Sequence, residues 1–300
     1  MPIHLLLRIL LAFASLVIFL GDALAADLDP LEARLSPLAK SHKGKVALAV
    51  KNLASGESYF LNADEPMPTA SLIKFPVMIE VYQQVADGQI KFTDSVTLQS
   101  EDKVPGSGVL TNNFSDGVSF PLRDAMRLMI SVSDNTATNL VLDKIGIGAT
   151  AKRMEEWGYK NTKIHSKSFK RETSVFPERS KQFGLGSASA REMLSLFEKL
   201  HQGKLVSEDA SKEMIEILKK CDDKEKFPRF LPEDVIVAHK SGSISDARTD
   251  AGILYFKNGP VALCVMTAEN KDQRWVADNA GNLFCAKVAK EVYDYFKRKP

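Results

Sequence analysis

The chain has 300 residues, and its 40 lysines and arginines nearly balance its 38 aspartates and glutamates, which gives a formal net charge of +2. Because the opposite charges are interspersed, the sequence offers no basic surface for nucleic acid, and we predict no such partner. The histidines are scattered without the spacing of metal ligands, so we also predict no metal and no cofactor.

The first predicted element is a secretory signal peptide at residues 1–25. Arg8 precedes an apolar run at 9–20, and Ala23-Leu24-Ala25 forms a small-x-small cleavage site. The alternative is a membrane anchor, but the uncharged run covers only residues 9–21, and a spanning helix needs roughly 20 residues. We therefore predict a periplasmic or secreted mature protein, residues 26–300, with no membrane span.

The mature chain shows strand patterns at both ends and helix patterns in the middle. A helix at 28–41 precedes two strands at 45–52 and 58–61. The middle predicts helices at 72–87, 122–131, 136–145, 149–157, 188–202 and 208–220. The end predicts strands at 235–240, 251–257 and 261–267 and a helix at 274–296. Together these elements predict one α+β domain, with an α/β lobe at about 26–62 and 221–300 and a helical lobe at about 63–220.

Three short clusters carry the chemistry: Ser71-Leu72-Ile73-Lys74, Ser133-Asp134-Asn135 and Lys240-Ser241-Gly242. They supply a serine nucleophile, candidate bases and a cation for an anionic substrate group, which is what acyl transfer through a serine ester requires. Ser71 and Lys74 lie three residues apart at the start of a predicted helix, so both face the same side.

A second Ser-x-x-Lys sequence, Ser100-Glu101-Asp102-Lys103, lies among acids and precedes the turn signal Val104-Pro105-Gly106. No predicted helix fixes its geometry. We therefore predict that Ser100 is not the nucleophile.

In order and spacing the three clusters resemble those of the class A β-lactamase family and its penicillin-binding relatives. The separations are 62 residues (133 minus 71) and 107 residues (240 minus 133). The resemblance implies one antiparallel sheet flanked by helices from both chain ends, plus an all-helical lobe. It also implies a small-molecule substrate, either a β-lactam or a D-Ala-D-Ala-like peptide, and a monomer is expected.

The chemistry predicts Ser71 as nucleophile and Lys74 as the base that takes its proton. A lysine is a base only when neutral, and burial together with the nearby cation Lys240 favours the neutral form. Ser133 fits a proton relay to the leaving nitrogen, and Asn135 fits a contact with a substrate carbonyl.

A substrate carboxylate is predicted to bind at the third cluster, Lys240-Ser241-Gly242, with Arg248 as a second anchor. The resemblance implies an oxyanion hole formed by the backbone N–H groups of Ser71 and Ser243. Each assignment has a structural alternative. The Ser133 cluster could cap the helix that follows it, the Lys240 cluster could be a strand end and turn, and Arg248 could be a surface residue.

The segment between Tyr159 and Ser187 departs from the family pattern, in which a glutamate followed four residues later by an asparagine activates the hydrolytic water. No such pair occurs here, and the family's glutamate falls near Ser168 or Phe169 by count. Glu172 is the candidate replacement; its alternative is a surface ion pair with neighbouring basic residues.

The sequence therefore leaves several functions open. The leading one is a serine β-lactamase. The others are a penicillin-binding D-Ala-D-Ala carboxypeptidase, a β-lactam-binding sensor that is acylated without turnover, and a hydrolase of an unrelated amide or ester.

The three cysteines are an odd number for an exported chain, so at least one is unpaired or bonded to another molecule. We predict Cys264 as a core residue, and a disulfide between Cys221 and Cys285 is an open alternative.

Overall fold

The computed structural model describes residues 30–299, so the predicted signal peptide at 1–25 lies outside the described residues. The helices are α1 Leu31–Ser41, α2 Lys74–Ala86, α3 Leu110–Asn113, α4 Leu122–Ser131, α5 Asn135–Ile145, α6 Ala149–Glu156, α7 Pro177–Phe183, α8 Ala190–His201, α9 Glu208–Leu218 and α10 Ala280–Phe296. The strands are β1 Lys45–Asn52, β2 Ser58–Leu61, β3 Met67–Pro68, β4 Ser95–Thr97, β5 Ser119–Pro121, β6 Lys163–Ile164, β7 Gly186–Ala188, β8 Ile236–Ile244, β9 Ala247–Phe256 and β10 Gly259–Ala268. Single 3₁₀ turns lie at Ala70–Ile73, Ser100–Asp102, Arg171–Thr173 and Phe227–Phe230.

The main sheet has five antiparallel strands in the order β2-β1-β10-β9-β8. Its strands come from both chain ends, which confirms the predicted α+β fold. Val46, Leu48 and Val50 of β1 pack under α1 and α10, whereas Ala47 and Ala49 belong to the larger core on the other face. Alternate residues of a strand point to opposite faces, and both faces are covered here, so β1 is a nearly continuous apolar run.

The helical lobe surrounds α2, which is buried on almost every side. The predicted helix at 72–87 is split in the structure: a 3₁₀ turn at Ala70–Ile73 carries Ser71, and the α-helix begins at Lys74. Pro76 fits in the first turn because the first N–H groups of a helix have no partner within it. The edge strand β8 contacts the 3₁₀ turn, and this contact brings the two lobes together at Ser71.

Two boundaries differ from the prediction in ways that matter for the site. Strand β8 continues through the Lys240 cluster to Ile244, so the alternative that this cluster is a strand end and turn is wrong. The last helix begins at Ala280 rather than 274, because the Asn279 side chain accepts a hydrogen bond from the Gly281 N–H and caps it there.

All three cysteines are buried free thiols. Cys264 lies in the core on β10, as predicted, and the Cys221–Cys285 disulfide is not formed. Between residues 30 and 299, no helix combines the length and the apolar character needed to cross a membrane.

Candidate active site

A cleft of about 1020 Å³ lies where β8 meets the helical lobe. Most of the residues predicted from the sequence clusters line it: Ser71, Ser133, Asn135, Lys240, Ser241, Gly242 and Ser243. Lys74 is fully buried behind this surface. Two predicted residues, Arg248 and Glu172, are not part of the lining.

The turn that carries Ser71 is held tightly against β8. The Thr249 hydroxyl donates a hydrogen bond to the Thr69 carbonyl oxygen at 2.9 Å. A Cβ atom on Gly242 would lie 2.8 Å from the Ser71 backbone nitrogen and 2.7 Å from Thr249 Oγ1. Only glycine allows β8 to approach this closely. Ala70, just before Ser71, has a φ of 46°, a strained value for a residue with a side chain.

Lys74 is fully buried and points at the Ser133 cluster. Its Nζ donates to the Ser133 carbonyl oxygen at 2.7 Å, to Ser133 Oγ at 3.2 Å and to Asn135 Oδ1 at 2.9 Å. Burial and the positive charge of Lys240 lower the pKa of Lys74 well below its ordinary value. This environment favours the neutral amine that a general base requires.

Ser133 hydrogen-bonds to two lysines, because Lys240 Nζ also donates to Ser133 Oγ, at 3.1 Å. Lys240 also donates to the Ser241 carbonyl oxygen at 2.8 Å. Burial is the main effect that lowers the pKa of Lys240. A hydroxyl has two acceptor positions and one proton; with two amines at its oxygen, the proton of Ser133 is free to point into the cleft.

Asp134 caps α5 and also binds a loop beside the cleft. Its carboxylate accepts the N–H of Ala137 at 2.8 Å, which caps α5, and the N–H groups of Val109 and Leu110 at 2.7 and 2.9 Å. The capping alternative is therefore correct for Asp134. The same carboxylate also fixes the neighbouring loop, so the cap holds Ser133 and Asn135 in place.

The segment at 221–226 contributes a polar wall that the sequence did not indicate. Asp223 Oδ2 accepts hydrogen bonds from Ser241 Oγ and Lys226 Nζ, each at 2.6 Å. Burial raises the pKa of Asp223, but Lys226 and the hydrogen bonds outweigh it and hold the pKa well below the ordinary range. A run of mixed charges such as 222–226 is typical of a solvated loop, yet Lys226 is only 3% exposed.

Arg248 is a buried residue and not a surface residue. Its guanidinium donates to the carbonyl oxygens of Ile244, Ala247 and Arg274, and it lies 4.9 Å from the centre of the Trp275 ring. The side chain is 1% exposed and does not line the cleft. The alternative of a surface residue is therefore wrong. The guanidinium is engaged by three backbone carbonyls, and a contact with a substrate carboxylate stays a prediction.

The loop on the other side of the cleft contains Ser168 where the family's glutamate was expected. The Ser168 N–H donates to Asn139 Oδ1 at 2.8 Å, and Asn139 Nδ2 donates to the Ser168 carbonyl oxygen at 3.1 Å. The Ser168 hydroxyl is buried and forms no hydrogen bond among the described residues. Ser168 and the exposed Phe169 both line the cleft.

Glu172 lies in the 3₁₀ turn of this loop and is exposed to solvent. It is not among the residues that line the cleft, so its predicted role as a deacylation acid finds no place in the structure. The acids that do line the described cleft, Asp222, Asp223 and Glu225, come from the 221–226 segment.

Comparison with known proteins gives a consistent result. Residues 30–296 match the model of the beta-lactamase enzyme family. The β-lactamase VEB-1 of Pseudomonas aeruginosa is 22% identical over 97% of this chain and 98% of its own length. A solved β-lactamase from Sphaerobacter thermophilus has 27% identity and a TM-score of 0.79, covering 90% of this chain and 99% of that one. The structure of PBP-A has 25% identity and a TM-score of 0.78, covering 90% and 97%.

Proposed function

The chain belongs to the beta-lactamase enzyme family, and from this membership we propose that it is a serine hydrolase that opens the β-lactam ring through an ester on Ser71. The observation that carries this proposal is that Lys74 and Lys240 both donate hydrogen bonds to Ser133, which lines the same cleft as Ser71. The substrate is a small molecule, and none of the proposed steps requires a cofactor.

In the first step, the Ser71 hydroxyl attacks the lactam carbonyl carbon while Lys74 accepts its proton. The neutral amine keeps two N–H bonds for the Ser133 carbonyl oxygen and Asn135 Oδ1. Its lone pair is then available for the proton of a hydroxyl. The lowered pKa of Lys74 makes this neutral form accessible without a carboxylate base.

As the C–N bond breaks, the leaving nitrogen needs a proton, and Ser133 is the proposed donor. Its oxygen accepts hydrogen bonds from both lysines, so a proton can pass from Lys74 through Ser133 to the nitrogen. The backbone N–H groups of Ser71 and Ser243 are the proposed oxyanion donors, and Asn135 is the proposed contact for a substrate carbonyl.

The substrate carboxylate is proposed to bind Lys240 and Ser241. The Ser241 hydroxyl donates to the ionised Asp223, so it has to turn away from Asp223 to donate to a substrate anion. The cationic character of this subsite therefore depends mainly on Lys240, and Arg248 plays no part in the proposal.

A second function, a penicillin-binding protein that remains acylated, is favoured by the loop at 166–171. Its cleft-lining residues include Ser168, whose hydroxyl is buried, and none of them carries a carboxylate. A water molecule on this side of the ester has no acid from the loop to activate it. We therefore expect hydrolysis of the ester, rather than its formation, to be the slow step.

Intact-protein mass spectrometry over time separates the two functions. The mature protein is mixed with a slight excess of a penicillin and, separately, of a chromogenic cephalosporin. An adduct that forms and disappears while hydrolysed product accumulates supports a β-lactamase; one that persists for hours supports the penicillin-binding alternative, including a D-Ala-D-Ala carboxypeptidase. Absence of any adduct or product contradicts both.

Ser71→Ala tests the nucleophile, and Ser100→Ala is the matched control from the second Ser-x-x-Lys sequence. We expect no adduct in Ser71→Ala and normal labelling in Ser100→Ala. A penicillin adduct that persists on Ser71→Ala contradicts the assignment.

We also propose export to the periplasm or the medium, on the basis of residues 1–25. N-terminal sequencing of the protein from cell fractions tests it. A mature chain that begins at Ala26 outside the cytoplasm is the expected result, and an uncleaved cytoplasmic chain contradicts it.

A further inference from the structure

Phe169 presents an aromatic ring at the wall of the cleft. The residue belongs to the loop at 166–171, is 66% exposed and is part of the cleft lining. Trp275 is the other large apolar residue of the lining that is exposed. An exposed aromatic side chain in the wall of a cleft is typical of a surface that a ligand covers.

The backbone on both sides of Phe169 is fixed by hydrogen bonds. Phe169 has a φ of 57°, a left-handed value that a bulky residue rarely adopts. The Lys167 N–H donates to Thr173 Oγ1 at 2.9 Å, and Thr173 Oγ1 donates to the Lys170 carbonyl oxygen at 2.6 Å. Lys170 Nζ donates to the Glu101 carbonyl oxygen at 2.6 Å. The place of the ring therefore follows from the hydrogen bonds of the loop and not from burial of the side chain.

The ring is a neighbour of the amide that we propose as the contact for a substrate carbonyl. A Cβ atom on Gly106 would lie 2.7 Å from Asn135 Nδ2 and 3.2 Å from Phe169 Cε2. The amide and the edge of the ring therefore border the same space beside Gly106. That space is open because Gly106 has no side chain.

The amide of Asn135 has one N–H group left for a ligand. Its Oδ1 accepts a hydrogen bond from Lys74 Nζ at 2.9 Å, and its Nδ2 donates to the Pro105 carbonyl oxygen at 3.1 Å. An amide nitrogen carries two N–H groups, and the second has no acceptor within residues 30–299. In an acylamino side chain the carbonyl carbon also carries the acyl substituent, so a carbonyl bound to Asn135 brings that substituent towards Phe169.

We propose that Phe169 is a specificity-determining residue, which packs against an aryl group on the acylamino side chain of the substrate, as in a phenylacetamido group. Two aromatic rings in offset or edge-to-face contact gain more than the burial of their surface. The proposal rests on the proposed function, because it names the class of β-lactam that the same cleft prefers: those with an aryl group over those with a short side chain or none.

The test compares acylation of Ser71 by benzylpenicillin and by 6-aminopenicillanic acid, which has the same rings and carboxylate and no acyl side chain. Phe169→Ala is expected to lower the second-order rate constant for benzylpenicillin by about tenfold and to leave that for 6-aminopenicillanic acid within about twofold. Phe169→Tyr keeps the ring and is expected to keep the preference. Phe114→Ala is the matched control, because Phe114 is 40% exposed but lies outside the cleft lining, and it is expected to change neither rate.

Two results overturn the proposal. An equal loss of rate with both substrates in Phe169→Ala means that the side chain only holds the loop in place. An unchanged preference for benzylpenicillin in Phe169→Ala means that the ring does not contact the aryl group.

A measurement without a β-lactam separates this proposal from the proposed function. N-phenylacetylglycine carries an aryl group, an amide carbonyl and a carboxylate, and N-acetylglycine lacks the ring. If no penicillin labels Ser71, the proposed function fails, and ligand-observed NMR titrations with these two compounds decide. Tighter binding of N-phenylacetylglycine than of N-acetylglycine to the native protein, lost in Phe169→Ala, supports the aromatic subsite. Equal binding of N-phenylacetylglycine to the native protein and to Phe169→Ala overturns it.

Discussion

The two sides of the cleft differ in how completely their buried polar groups are paired. On the acylation side, defined here as Ser71, Lys74, Ser133, Asn135 and Lys240, the amines of both lysines hydrogen-bond to Ser133. On the loop side, defined as residues 166–171, the backbone of Ser168 is held by Asn139, but its buried hydroxyl has no partner within residues 30–299.

This contrast separates two requirements of a serine hydrolase that works through an ester. Forming the ester needs a base, a proton relay and an oxyanion site, for which Lys74, Ser133 and the backbone N–H groups of Ser71 and Ser243 are the proposed groups. Cleaving the ester needs an activated water, and the loop side supplies a backbone held in place without an acid. We therefore expect substitutions on the two sides to affect the two steps separately.

The largest expected effect comes from removing the base on the acylation side. Lys74→Met keeps the length of the side chain and loses the amine, so the rate of labelling by a penicillin should fall by about 10²–10⁴-fold. Lys103→Met in the second Ser-x-x-Lys sequence is the matched control and should label normally. Stopped-flow acylation kinetics measure both. Unchanged acylation in a folded Lys74→Met protein excludes Lys74 as the base.

A smaller effect is expected from disturbing the contact between β8 and the Ser71 turn. Gly242→Ala places a methyl group 2.8 Å from the Ser71 nitrogen, which displaces one proposed oxyanion donor and should slow acylation by about 10²–10³-fold. Gly148→Ala, where the added methyl meets nothing within 4 Å, is the control. Equal acylation rates for the two variants would contradict the tight contact.

Adding an acid to the loop side tests whether the missing carboxylate limits deacylation. Ser168→Glu places a carboxylate at a buried position that lines the cleft, and deacylation should become at least about tenfold faster. Ser168→Gln has the same size without the charge and should not accelerate it. The decay of the penicillin adduct in mass spectrometry gives the rate. If both variants decay alike, the missing carboxylate is not what limits the loop side.

The sequence predicted that the three clusters meet, because each cluster has a local geometry. Ser71 and Lys74 are one turn apart, and the Ser133 cluster precedes a helix that Asp134 caps. The long-range contacts could not be read in this way. Asp223 is held by Lys226 and by Ser241, 18 residues away, and a charge pattern does not reveal such partners.

Arg248 and the loop at 166–171 also depend on long-range contacts that the sequence does not reveal. The guanidinium of Arg248 is bound by carbonyl oxygens that include that of Arg274, 26 residues away, so its direction depends on the tertiary fold. Counting residues placed the missing acid near Ser168, and the bonds to Asn139 identify Ser168 as the residue held beside the cleft. The count did not reveal that Glu172 faces solvent.

The smallest expected effect is that of Glu172→Gln. This substitution tests the residue that the sequence suggested as the deacylation acid. Glu172 is exposed and does not line the cleft, and surface substitutions usually change free energies by less than about 0.5 kcal/mol, or about twofold in a rate. Acylation and deacylation should both stay within that range when adduct formation and decay are followed. A deacylation rate that falls tenfold or more would show that the loop rearranges in the acylated protein and brings Glu172 to the ester. In that case the loop side would carry its acid four residues beyond Ser168, and Ser168→Glu would add little.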